Sequence, residues 1–142
     1  MIIGVREPLA TLKSILNLNT LVGHEWTQET ACKYYCDRLK YLSELRNRAE
    51  KFGCPTLFIE TDRIINETFT LLAELTGFLQ LSSDLQSEYE IFDQTGVAGY
   101  GDPSDNIKKQ FINRERHKSK ISLKPEVISD SENAYQSLRD TL

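Results

Sequence analysis

The residues Ile2-Ile3-Gly4-Val5-Arg6-Glu7-Pro8, near the start of the chain, carry the clearest signal of its fold. A short apolar run without polar alternation predicts a strand buried on both faces, as in a parallel sheet. Pro8 favours the first turn of a helix, which we expect to run to about Leu18. Arg6 is therefore predicted to stand at the carboxyl end of a parallel strand, the edge at which open α/β sheets bind ligands.

Apolar side chains spaced three and four apart predict further helices, and a second apolar run predicts a second buried strand. We expect helices over about Gln28–Phe52, Ile64–Leu79, Ser82–Glu90 and Pro125–Leu142, and a strand over Thr56–Ile59. Their predicted core positions include Tyr35, Leu39, Ala49, Phe52, Phe69 and Leu79. The order strand, helix, helix, strand, helix favours parallel pairing with helical crossovers.

Two strands make a poor sheet, because a parallel sheet needs more strands and cover on both faces. We therefore expect residues 1–142 to form one partial domain, the later part of a larger α/β unit. An upstream segment or a partner chain would supply the missing strands.

The composition excludes several classes of protein. The chain is 39% hydrophobic and 27% charged, with a net charge of -4, which are globular values and argue against bulk nucleic-acid binding. No apolar run is long enough for a membrane span. Arg6 and Glu7 interrupt the N-terminal apolar run, so we expect no signal peptide and a cytoplasmic location.

The three cysteines predict free thiols in a reducing compartment rather than a disulfide framework. Cys32 and Cys36 would share one face of the long helix. A zinc site needs four ligands, and only His24, His117 and Cys54 could complete it, at irregular spacings. We therefore expect buried thiols and no metal.

Positive charge is concentrated in one segment. Residues 108–124 hold seven basic residues and one acidic residue, a local charge of +6, whereas the remaining ten basic and twenty acidic residues give -10. Such a segment either binds an anion or forms a solvated loop, and the sequence leaves both open. The glycines of the preceding loop, Gly99 and Gly101 among them, could form an anion-binding nest beside Lys108 and Lys109; an ordinary surface loop is the alternative.

Arg6 and Ser14 are the second candidate for anion binding. A guanidinium can hold a phosphate through two charge-assisted hydrogen bonds, and a hydroxyl two helical turns along could add a third. The alternative is that Arg6 pairs with Glu7 or Glu60 and that Ser14 is only solvated.

This N-terminal segment resembles the 3′-phosphate-binding segment of sulfotransferases that use PAPS (3′-phosphoadenosine 5′-phosphosulfate). In that family a buried strand ends in an Arg, a Pro begins the next helix, and a Ser eight residues after the Arg joins it on the 3′-phosphate. Arg6, Pro8 and Ser14 match this pattern in type and spacing.

Two later segments extend the resemblance. Phe58-Ile59-Glu60-Thr61-Asp62, followed by a helix ending in Thr76-Gly77-Phe78-Leu79-Gln80-Leu81, is similar to the family's strand-acid-helix element. Gly96, Gly99-Tyr100-Gly101-Asp102-Pro103-Ser104 and Ile107-Lys108-Lys109 are similar to the glycine-rich loop of bacterial members, near the 3′ end of the cofactor.

The resemblance implies an α/β fold with a P-loop-type parallel sheet and helices on both faces, here an incomplete, helix-rich C-terminal part. It implies transfer of a sulfuryl group from the co-substrate PAPS to an unknown acceptor hydroxyl or amine, without nucleic acid or membrane as a partner. The implied cofactor-binding residues are Arg6, Ser14, Gly99, Gly101, Lys108 and Lys109.

The chain also departs from the family pattern. The family's phosphosulfate loop and usual catalytic base precede the Arg, and only five residues precede Arg6, so we expect little turnover from this chain alone. Ile59 stands where many members have an aromatic residue, and the Arg-Lys-Gly triplet of many cytosolic members is absent. Two alternatives are a non-catalytic α/β interaction subunit without nucleotide binding and a P-loop kinase-like fragment.

Overall fold

The computed structural model describes residues 1–21, 23–95, 97, 107–112 and 119–141. Its elements, in chain order, are β1 (Ile2–Val5), α1 (Pro8–Leu21), α2 (Gln28–Lys51), β2 (Leu57–Glu60), α3 (Asp62–Asn66), α4 (Thr68–Phe78), a 3₁₀ helix (Ile107–Lys109) and α5 (Pro125–Arg139). The chain divides into two compact units. The first unit is Met1–Thr61 with His117–Leu142, and the second unit is Asp62–Arg116.

The sheet of the described residues consists of two parallel strands, as predicted. β1 pairs with β2, with Ile2 opposite Leu57 and Val5 opposite Glu60. The prediction that both faces of β1 are buried is wrong, because Val5 is 3% exposed whereas Ile2 is 41% exposed. The strand therefore alternates between a core face and an open face. The fold is mixed α/β and mostly helical.

The core of the first unit lies between β1 and three helices. α1 contributes Leu12, which is fully buried, and Leu16 one turn later, as the helical repeat requires. The remaining buried members are Ile3, Val5, Ala31, Cys32, Tyr35, Leu39, Val127 and Leu138. α5 therefore completes a core that β1 begins.

α2 begins and ends at recognisable signals. The hydroxyl of Thr27 accepts a 3.2 Å hydrogen bond from the Thr30 N–H and caps the N-terminus. The helix ends at Lys51, and Gly53 takes a positive φ of 64° just beyond it. The prediction that Phe52 is a core residue is wrong, since it lies past the last turn and is 88% exposed.

The single helix predicted over Ile64–Leu79 is broken at Glu67 into α3 and α4. The hydroxyl of Thr68 donates a 2.7 Å hydrogen bond to the carbonyl oxygen of Ile64. That carbonyl is the acceptor that the Thr68 N–H would use in a continuous helix, so the side chain competes with the helical pattern.

The buried face of α4 differs from the predicted one. Leu71 is 1% exposed, whereas Phe69, a predicted core residue, is 72% exposed and Leu79 is 44% exposed. α4 has 11 residues.

Among the described helices, none is both long enough and apolar enough to cross a membrane.

The helix predicted over Ser82–Glu90 is also wrong. This segment is not helical, and Glu88 forms an isolated antiparallel bridge with Phe111. The Tyr89 N–H donates to the Gln110 carbonyl oxygen at 3.0 Å. Backbone groups that a helix would have paired locally are thus paired with a distant segment.

Candidate functional site

Arg6 follows the last residue of β1 and lies at the carboxyl edge of the sheet, as predicted. Val5 is the last paired residue of β1, and its carbonyl oxygen accepts a 2.7 Å hydrogen bond from the Thr61 N–H. Arg6 and Thr61 therefore directly follow the carboxyl ends of the two neighbouring strands. Tyr35 of α2 fixes the backbone there, because its hydroxyl donates to the Arg6 carbonyl oxygen at 2.8 Å.

The carboxylates that could neutralise Arg6 have other partners. Glu60 pairs with Arg139, with 3.0 Å between Oε1 and Nε. Glu7 accepts hydrogen bonds from the Leu9 N–H at 2.9 Å and from the Ala10 N–H at 2.6 Å. The exposed side chain of Arg6 has no ion-pair partner within the part of the chain that the structure describes.

Glu7 therefore caps α1 with its own carboxylate. The first N–H groups of a helix attract anions, and here a side chain of the chain itself occupies them. An external phosphate at this edge would meet the Arg6 side chain, not these N–H groups. The negative charge of Glu7, one residue from Arg6, weakens the attraction for an anion.

Ser14 is exposed and lies two turns into α1, on the side away from Leu12. Thr11, one turn nearer the N-terminus, has its hydroxyl bound to the Glu7 carbonyl oxygen at 2.6 Å. The rise from Pro8 to Ser14 is about 9 Å along the axis. A phosphate in contact with both Arg6 and Ser14 would therefore lie over the first two turns of α1.

The predicted phosphate site is open to solvent. Three cavities, of about 430, 420 and 490 Å³, are lined by residues other than Arg6 and Ser14. Charges at an exposed site interact through water and are screened by salt. Binding there depends on direct hydrogen bonds rather than on burial.

Thr61 is a polar group at this edge to which the sequence assigned no role. Its hydroxyl oxygen is buried and has no hydrogen-bond partner among the described residues. A buried hydroxyl without a partner costs about 1–3 kcal/mol, so a ligand or water reaching it would be favoured. Its position directly after the second strand was the signal available in the sequence.

The other predicted site residues lie in the second unit or outside the described residues. Lys108 and Lys109 end the 3₁₀ helix, are exposed, and each interacts with another group of the chain. Gly99 and Gly101 fall outside the residues that the structure describes. Arg6 and Ser14, by contrast, belong to the first unit.

No family model, curated protein or solved structure matches the chain. The assignment of a function therefore depends on the residues themselves and on the resemblance of their motifs.

Proposed function

We propose that this chain binds the 3′-phosphate of PAPS and forms the cofactor-binding part of a sulfotransferase. The observation that carries the proposal is Arg6, an exposed guanidinium at the carboxyl end of a parallel strand. Its two candidate partners, Glu7 and Glu60, bind other groups. The motif resemblance points to PAPS as the donor of the sulfuryl group. In this proposal β1 and β2 are two strands of a P-loop-type sheet.

In this proposal Arg6 and Ser14 have different roles. Arg6 binds the 3′-phosphate through the fork of its guanidinium, and the hydroxyl of Ser14 donates a further hydrogen bond. This phosphate is not transferred, so both residues fix the position of the cofactor. By binding the 3′-phosphate, they also make the site selective for PAPS over donors that lack this phosphate.

The reaction moves a sulfuryl group from PAPS to an acceptor hydroxyl or amine and leaves adenosine 3′,5′-bisphosphate. Such transfers depend on positioning and on neutralising the charge of the leaving phosphate. The proposal assigns Arg6 and Ser14 to positioning only. The motif resemblance also implies Lys108, Lys109, Gly99 and Gly101 as cofactor-binding residues, and the proposal rests on none of them.

Calorimetry of the full chain with adenosine 3′,5′-bisphosphate tests the proposal. The bisphosphate should bind more tightly than adenosine 5′-monophosphate, which lacks the 3′-phosphate. Arg6→Ala should weaken bisphosphate binding about 10- to 100-fold, because a hydrogen bond to a charged group is worth about 1.5–3 kcal/mol. Ser14→Ala should weaken it less.

The matched control is Arg48→Ala, which removes an exposed arginine from the far end of α2. This variant should bind the bisphosphate as the unmodified chain does. Equal binding by Arg6→Ala, or equal affinity for the two nucleotides, would show that the site is wrongly assigned.

A second candidate is a non-catalytic interaction subunit. It is favoured by the sheet of the described residues, in which each strand pairs along one edge and leaves the other edge unpaired. This function predicts no nucleotide affinity and a stable complex with another chain. Calorimetry measures the affinity for the nucleotide and light scattering detects a complex with another chain, so the two methods together distinguish the two candidate functions.

A further inference from the structure

Two thiols of α2 lie side by side in the first unit. Cys32 and Cys36 are one helical turn apart, and their Sγ atoms are 4.0 Å from each other. Neither takes part in a disulfide. The third cysteine, Cys54, lies beyond the end of α2 and is exposed.

The pair faces α5. Cys32 is 6% exposed, and its thiol donates a hydrogen bond to the Val127 carbonyl oxygen at 3.6 Å. Cys36 is less buried, and its thiol donates to the Asp130 carbonyl oxygen at 3.9 Å, so a metal ion would replace both thiol hydrogens. A cavity of about 420 Å³ opens onto both thiols. Its other lining residues are Glu29, Lys33, Lys124, Glu126, Val127 and Asp130.

The spacing of the two residues disfavours a direct bond between the sulfurs. A disulfide requires Cβ atoms about 3.5–4.5 Å apart. Residues one helical turn apart have Cβ atoms about 5–6 Å apart, so a disulfide would distort α2.

A single atom bridging the two sulfurs fits without such distortion. Two metal–sulfur bonds of about 2.3 Å, the length of a zinc–thiolate bond, can join sulfurs up to about 4.6 Å apart. The observed separation of 4.0 Å lies within this reach.

We propose that Cys32 and Cys36 form a two-thiolate site for a soft monovalent cation, Cu(I). Thiolate sulfur selects soft ions such as Cu(I). Zinc is disfavoured, because its structural sites need four ligands and no three His, Cys, Asp or Glu side chains within the described part of the chain are placed to hold a metal. Cu(I) accepts two sulfur ligands, and the cavity gives the ion a path to them.

The surroundings suit the entry of a cation. Both lysines of the cavity already have acidic partners: Lys33 pairs with Asp37 and Lys124 with Glu29, each at 2.5 Å. Glu126 and Asp130 add negative charge to the rim.

Binding exchanges protons for the metal. Two thiols and one Cu(I) give a bis-thiolate complex of charge −1 and release two protons, with no change of oxidation state. Because binding releases two protons, affinity should increase with pH.

The test titrates the reduced full chain with Cu(I) under anaerobic conditions, against the coloured chelator bathocuproine disulfonate. The chain should withdraw a single equivalent of Cu(I) from the chelator. Cys36→Ser should lower the affinity at least about 10- to 100-fold, the loss that even outer-shell changes cause at metal sites. Cys54→Ser is the matched control and should bind as the unmodified chain does. Circular dichroism verifies the fold of each variant.

A second measurement uses the unmodified chain. Cu(I) should protect Cys32 and Cys36 from alkylation by iodoacetamide and leave Cys54 reactive, as mass spectrometry of the labelled peptides would record. Equal affinity in Cys36→Ser, loss of binding in Cys54→Ser, or alkylation of Cys36 at an unchanged rate would each overturn the proposal.

Discussion

The phenolic hydroxyl of Tyr35 donates a hydrogen bond to the main-chain carbonyl oxygen of Arg6, across 2.8 Å. The ring of Tyr35 belongs to the core and is 4% exposed. The bond therefore connects the packed interior to the residue from which the candidate guanidinium projects. Long, mobile arginine side chains bind more tightly when their backbone is held in place.

Tyr35→Phe keeps the ring and removes this hydrogen bond. We expect the free energy of unfolding to fall by about 0.5–1.5 kcal/mol, because a carbonyl oxygen loses its donor. Urea denaturation followed by circular dichroism measures the change. Tyr34→Phe, at a neighbouring position that is 45% exposed, should change stability little. Similar midpoints for the two variants would contradict the role given to Tyr35.

Leu12→Ala should destabilise the first unit strongly. Leu12 is 0% exposed, and truncating a buried leucine typically costs about 2–5 kcal/mol through lost burial and a new cavity. Leu18→Ala, in the same helix at a position that is 49% exposed, is the matched control and should cost much less. Guanidinium denaturation of both variants compares them. Comparable losses would mean that α1 packs through a different face.

Stability should fall in acid through the Glu29–Lys124 ion pair. Hydrogen bonds from Lys124, which has the largest effect, from the Glu29 N–H and from the Thr27 hydroxyl lower the pKa of Glu29 from 4.5 to about 2. The folded chain therefore binds this proton less readily than the unfolded chain. The contribution is complete above pH 4.5 and is lost as the pH falls from 4.5 towards 2. The effect should be small and reduced by salt, because the pair is exposed.

Glu29→Gln measures this dependence. The variant should be less stable than the unmodified chain at neutral pH and equally stable near pH 2, as read from urea midpoints. Glu44→Gln, which removes an exposed carboxylate elsewhere on α2, should show no such convergence. A difference that stays constant over the whole interval would exclude the ion pair as its cause.

Glu7→Gln tests the balance of charge beside Arg6. The amide oxygen can accept only one of the two hydrogen bonds that Glu7 accepts from the Leu9 and Ala10 N–H groups, and the negative charge is removed. Under the proposed function, calorimetry should detect tighter binding of adenosine 3′,5′-bisphosphate. Stability should fall by at least about 0.3–1 kcal/mol, the usual interaction of a negative charge with a helix N-terminus, because a capping hydrogen bond is lost as well. Glu44→Gln should change neither quantity, and unchanged affinity in Glu7→Gln would count against a phosphate at Arg6.

The elements built from local patterns could be predicted from the sequence. β1, α2 and β2 begin or end within one residue of their predicted bounds, because apolar runs, Pro8 and Gly53 act on neighbouring residues only. The errors arose where contacts between residues far apart in sequence determine which side chains are buried. The spacing of apolar residues does not show which of them pack against another element. It therefore predicted Phe52 and Phe69 as core residues, although both are exposed.

The candidate site was predictable to the same degree. The position of Arg6 follows from the end of a strand, which local sequence determines. The capping by Glu7 and the binding of Glu60 by Arg139 depend on side-chain geometry and on a helix far along the chain. The proximity of Cys32 and Cys36 follows from helical spacing, but their position against α5 does not.

The first unit is assembled from two stretches of chain that are far apart in sequence. Val127 and Leu138 of α5 pack into the core that begins with Ile3. During synthesis on the ribosome, the apolar surface of β1, α1 and α2 therefore remains exposed until α5 has emerged. Until then this surface is prone to aggregation, and native packing of the first unit should arise only after α5 has been made.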